Sequence, residues 1–148
     1  MPIDFSDFST ALLKEGCELA RRLKADLHLL HVVEDSSPTM SEIAKANPVF
    51  QSYAHDLVRS GDKQLEEASR TCELSRDAVN RHVEVGAPVQ KINDYARTNL
   101  IDLIVMATHG RSGMSHRMLG SVAERLVRLA YCPVLVFPSK ASNAPKSA

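Results

Sequence analysis

Five runs of apolar residues, each the length of a strand, alternate along this chain with segments whose apolar residues recur at helical spacing. The strand-like runs are Met1 to Phe5, Leu27 to Val33, Val79 to Val85, Leu100 to Met106 and Pro133 to Phe137. Helical patterns occupy about 9–25, 50–74, 88–99 and 120–131. Strands that alternate with helices pair in parallel and bury both sheet faces under those helices. The expected fold is therefore α/β, a single open parallel five-stranded sheet with helices on both faces. With 148 residues, of which 44% are apolar, the chain suits one domain with its own core. That domain is expected to span 1–138. The polar stretch 139–148 reads as a disordered tail.

Each run also carries a position in the sheet. Leu100 to Met106 is almost wholly apolar, as a central strand covered on both faces would be. Val79, Val83 and Val85 alternate with Asn80, His82 and Glu84, the pattern of an edge strand with one wet face. The last run is short, apolar and flanked by Pro133 and Pro138. An exposed edge of that kind invites pairing, so a homodimer through 133–137 is expected. Glu34 to Pro48 is a long connection for a compact domain and is expected to be mobile.

Composition narrows the function. The 18 basic and 18 acidic side chains cancel, which gives no electrostatic reason to expect nucleic acid or an anionic membrane as the partner. No apolar run is long enough to span a membrane, and the first residues lack the pattern of a signal peptide. Cys17, Cys72 and Cys132 show neither a CxxC pair nor a Cys/His metal spacing. They read as small apolar residues of a protein in the reducing cytoplasm.

The chemistry concentrates after the fourth run, from Ala107 through Gly110, Arg111 and Gly113 to Gly120, Ser121 and Val122. A strand-to-helix loop needs about 2–6 residues, and this one is far longer. Glycines let backbone N–H groups turn inward, local cations favour an anion, and a helix start supplies unpaired N–H groups and a positive dipole end. Ser121 and Glu124 have the spacing of a capping box. The same residues also fit ordinary turns and an ordinary cap. Pattern alone leaves phosphate binding and a plain connection both open, and neither GxxxxGK[ST] nor GxGxxG is present.

Over nearly its whole length the chain resembles the universal stress protein family, of the ATP-binding type. "PIDFS", "LHLLHVV", "VEVGAPVQKINDYARTNLIDLIVMATHGRSG" and "LGSVAERLVRLAYCPVLVF" carry the likeness. The ATP-binding members have G-x-x-G, nine residues, then G-S/T; here the pattern is Ala107-x-x-Gly110, nine residues, then Gly120-Ser121. The resemblance implies a Rossmann-like sheet of the adenine nucleotide alpha hydrolase type with strand order 3-2-1-4-5. It implies ATP, ADP or AMP as ligand, with Mg2+ as a companion ion. Asp4 would meet the nucleoside, Pro2, Val32 and Met106 would line the adenine pocket, and Gly110, Gly120, Ser121 and Val122 would give backbone N–H groups to phosphate. Arg111 and Gly113 lie in the same loop. Two departures stand out: Ala107 replaces the first glycine, and almost nothing precedes Pro2 in what the family uses as its central strand. A native start upstream of Met1, or another segment filling the gap, would account for the second.

His109, His116 and Arg117 are candidates to stabilise phosphate charge, a solvated role fits His116 and Arg117 at least as well, and His31 reads as a hydrogen-bonded core histidine. The loop between Ala107 and Leu119 contains no acidic residue to act as a base, so a nucleotide-binding stress regulator is expected rather than an efficient ATPase, with slow hydrolysis as a side activity. A nucleotide-independent dimeric interaction module of the same fold is the alternative.

Overall fold

The structure is a computed structural model that describes residues 1–34, 48–108 and 119–138. Helix α1 spans Asp7–Leu23, strand β1 Leu27–Glu34, helix α2 Pro48–Ser69, strand β2 Val79–Gly86 and helix α3 Pro88–Thr98. Strand β3 covers Ile104–Ala107, helix α4 Ser121–Leu129 and strand β4 Val134–Phe137. A short 3-10 turn, Arg76–Ala78, leads into β2. The expectations for residues 35–47, for the loop 109–118 and for the tail 139–148 fall outside the described residues.

The helices start and stop where side-chain and backbone chemistry dictate. Ser6 caps α1 by accepting the Ser9 amide at 3.3 Å. Pro88 opens α3, where its missing N–H is of no consequence. Before it, Gly86 has φ 139°, a turn that a side chain would strain, and an added Cβ would also lie 3.1 Å from the Lys91 chain. At the far end of α3 the Ile101 amide donates to Ala96 O at 2.9 Å and the Leu100 amide to Arg97 O at 3.4 Å, a Schellman motif. Leu100 sits at φ 51° in the left-handed position of that motif. Its apolar side chain had suggested the start of a strand; it belongs to the helix terminus instead, and β3 begins only at Ile104.

Both strand pairs are parallel, as the alternation predicts. β1 pairs with β2 from Leu27↔Val79 to Glu34↔Gly86, and β3 with β4 from Ile104↔Val134 to Ala107↔Phe137. The segment Met1–Ile3 joins β1 by one bridge, Pro2↔Leu30, with the Ile3 amide donating to Leu30 O at 2.8 Å and the Leu30 amide to Met1 O at 3.1 Å. The described residues thus form two two-stranded sheets rather than one continuous five-stranded sheet. The first strand, expected at the centre, contributes a bridge only, and no ladder links it to β3.

Helices nevertheless cover both faces, and side-chain alternation shows how. Leu27, Leu29 and Val105 share one core with Leu12, Leu13 and Leu65 of α1 and α2. Leu30, Ile104 and Met106 share the other with Ile92, Ala96, Ala123 and Leu126 of α3 and α4. Ile104, Val105 and Met106 are all buried, as expected for a strand covered on both sides. β2 lies at a sheet edge with Asn80 and His82 exposed.

Cys17 of α1 and Cys72, just beyond α2, form a disulfide with Cα atoms 5.5 Å apart. Free thiols had been expected at both. The two helices pack on the same face of the sheet, a proximity that no sequence spacing reveals. Cys132 is free. Among the described residues no helix is long and apolar enough to cross a membrane, and no group of His, Cys, Asp and Glu could hold a metal ion.

Leu100 is 75% exposed while its backbone is left-handed, so little packing opposes relief of the strain. Leu100→Gly should stabilise the fold by about 0.5–1 kcal/mol, the left-handed penalty partly offset by chain entropy. A rise of a few degrees in Tm would show it, with Leu100→Ala giving no such gain.

Candidate nucleotide-binding cleft

A cleft of about 280 Å³ opens at the carboxyl ends of β1 and β3, where α/β folds place their ligands. Pro2 and Asp4 reach it from the N-terminal segment, Val32 from β1, and Met106 and Ala107 from β3. Gly120, Ser121 and Val122 close it at the start of α4. Gly110, Arg111 and Gly113, with His109, His116 and Arg117, lie outside the described residues. Sequence reasoning did not single out Leu30, Glu34, Pro88, Ile92, Thr108 and Ala123, which also line the cleft. Glu34 ends β1 and Pro88 follows β2, so the rule that strand ends carry ligands was the signal that could have found them.

Asp4 is fixed by the start of α1. Its Oδ1 accepts the Ser6 amide at 3.0 Å and the Ser6 hydroxyl at 2.6 Å. Ser6 caps the helix, and the aspartate holds the cap in place. Between them Phe5 has φ 60°, a left-handed kink that turns the chain from the sheet into α1. His31 is a buried, hydrogen-bonded histidine as expected, its Nδ1 2.7 Å from Ile3 O, and its ring also borders the cleft.

The α4 end differs in detail from expectation. Gly120, at φ −60°, is the N-cap, and no side chain caps the helix. Ser121 is therefore the first helical residue, not the cap, and the Ser121–Glu124 capping box does not form. The Gly120 amide is also not turned to a ligand: it donates to Thr108 O at 2.8 Å and so ties the end of β3 to the helix start. Among the described residues no acceptor meets the amides of Ser121, Val122 or Ala123, the unpaired N–H groups that the first turn of a helix leaves.

Ala107 is extended, paired with Phe137, and has no positive φ. Alanine in place of glycine therefore imposes no backbone strain there.

The lining joins an apolar floor, including Leu30, Ile92 and Met106, to two carboxylates, Asp4 and Glu34. Among the described residues it contains no lysine or arginine. The carboxylates suit hydroxyl or amino donors, the floor suits a flat apolar ring, and the α4 dipole and amides suit an anion.

Residues 1–138 match the Universal stress protein family. The chain belongs to that family. A universal stress protein of Methanocaldococcus jannaschii is 32% identical over 136 residues, covering 92% of this chain and 78% of its own length. A second universal stress protein of that organism has a solved structure similar to this one, at 27% identity and TM-score 0.73, covering 91% of this chain and 90% of the other. A universal stress protein solved in complex with cAMP shares the fold at 22% identity and TM-score 0.60, with 94% of each chain covered.

Ser6→Ala should cost about 1 kcal/mol by removing the cap of α1. Denaturant unfolding would measure it, with Ser6→Thr retaining most of the stability.

Proposed function

We propose that this universal stress protein binds ATP or a related adenine nucleotide in the strand-end cleft and acts as a stress-response regulator. One observation carries the reading: the apolar strand ends, the anchored Asp4 and the start of α4 converge on a single cavity. In this reading the adenine lies over Pro2, Val32 and Met106, and Asp4 accepts hydrogen bonds from the ribose hydroxyls or the adenine amino group. The phosphates face the Ser121 and Val122 amides and the Ser121 hydroxyl, with residues 109–118 completing the cradle through Gly110, Arg111 and Gly113. Mg2+ would accompany the phosphates, since Asp4 serves the nucleoside in this reading.

Family membership supports the reading, and the cAMP complex shows of one member that this fold accommodates an adenine nucleotide. The arrangement binds and orients; among the described lining residues, none is placed on a phosphate as a general base. A homodimer through β4 belongs to the same proposal: β4 is an edge strand, and Leu135 on it is 39% exposed. So does residence in the cytoplasm, where thiol reductants would act on the Cys17–Cys72 bond.

Gly120 has an ordinary φ, so Gly120→Val places a branched side chain at the N-cap without forcing a left-handed backbone, at a modest capping cost. Calorimetric titration with ATP should show binding to the native protein and its loss, by at least about tenfold, in that variant. Equal affinity in the two proteins would remove the phosphate site from α4. Asp4→Asn keeps an acceptor for Ser6 but removes the charge. It should weaken ATP binding while leaving the oligomeric state, read by light scattering, unchanged.

A further inference from the structure

We propose that His31 is the positioning residue of the cleft, acting through the backbone on either side of Asp4; the proposal rests on reading the cleft as a nucleotide site. A carbonyl oxygen only accepts, so the 2.7 Å contact with Ile3 O requires the proton on Nδ1. Ile3 is thereby held at both ends of its peptide. Its amide donates to Leu30 O at 2.8 Å, and its carbonyl accepts from the next residue of β1. The Phe5 ring lies 4.4 Å from the imidazole, centroid to centroid, and Phe5 is the left-handed residue that turns the chain. Asp4 stands between these two clamped neighbours.

The third side of the ring meets α2. A Cβ added at Gly61 would lie 3.1 Å from His31 Cδ2 and 3.2 Å from Val83 Cγ1, so the missing side chain makes a notch that the imidazole shares with Val83. α2 therefore bears on Asp4 through one buried ring. A residue that merely filled the core would need shape and no proton donor. The hydrogen bond to Ile3 distinguishes the two roles, because an apolar ring would leave that buried carbonyl without this donor.

The test compares the native protein with His31→Phe, His31→Asn, Asp4→Asn and the double variant His31→Phe/Asp4→Asn, each titrated with ATP and checked by thermal unfolding. Phenylalanine keeps the ring and removes the donor; asparagine places an amide nitrogen close to the Nδ1 position. His31→Phe should weaken ATP binding about tenfold, the equivalent of one neutral hydrogen bond, and His31→Asn should restore most of it. Adding His31→Phe to Asp4→Asn should change little, because both act through one carboxylate. Native affinity in a folded His31→Phe protein, or penalties that add in full, would overturn the inference while the nucleotide reading stands. Absence of ATP binding by the native protein would overturn both. If His31→Phe fails to fold, Gly61→Ala pushes on the same ring edge: weaker ATP binding supports the role, and unchanged affinity refutes it.

Discussion

Two backbone hydrogen bonds to Leu30 hold the N-terminal segment against β1, and the placement of Pro2 and Asp4 in the cleft follows from them. Strand edges offer parallel registers that differ by two residues, and each would aim Asp4 at a different depth. The bridge at Pro2↔Leu30 selects one. Because the bridge is short, side chains must supply what a longer ladder would. Ile3 is buried in the core beneath α1, Ser6 ties Asp4 to the helix, and Phe5 turns sharply between them. The site is thus anchored less by extended pairing than by a dense local set of contacts around a single turn.

The α4 end of the cleft depends on a different connection. The Thr108 amide donates to Phe137 O, and the Thr108 carbonyl accepts from Gly120. One residue therefore links β4, β3 and the start of α4, so the helix dipole is aimed by the sheet itself. Since Ile104 and Met106 are buried against α3 and α4 while Val105 faces α1, β3 cannot shift by one residue without exposing one core or the other. Packing on two faces fixes the strand, and the strand fixes the helix.

Much of this was legible in the sequence because it depends on periodicity. Four apolar runs gave the named strands, and the wet face of β2 showed in Asn80 and His82. The positions Pro2, Asp4, Val32, Met106, Ala107, Gly120, Ser121 and Val122 meet in one cavity because strand ends and helix starts come together in any fold of this class. What stayed hidden depends on dihedrals or on distant contacts. An apolar residue at a left-handed helix terminus, as Leu100 is, looks in sequence like the first residue of a strand. Ser121 and Glu124 have the spacing of a cap, yet the helix begins one residue earlier than that pairing needs. The Cys17–Cys72 bond joins residues 55 apart, brought together only by helix packing.

The ordinary extended geometry of Ala107 has a meaning beyond this chain. A glycine that a motif demands can be demanded for its dihedral freedom or merely for its small volume, and the two cases tolerate change differently. Here the backbone needs no freedom, so the methyl group of Ala107 costs nothing in dihedral strain. A sequence filter that insists on glycine at the first place of the pattern would discard chains such as this one for the sake of one carbon atom.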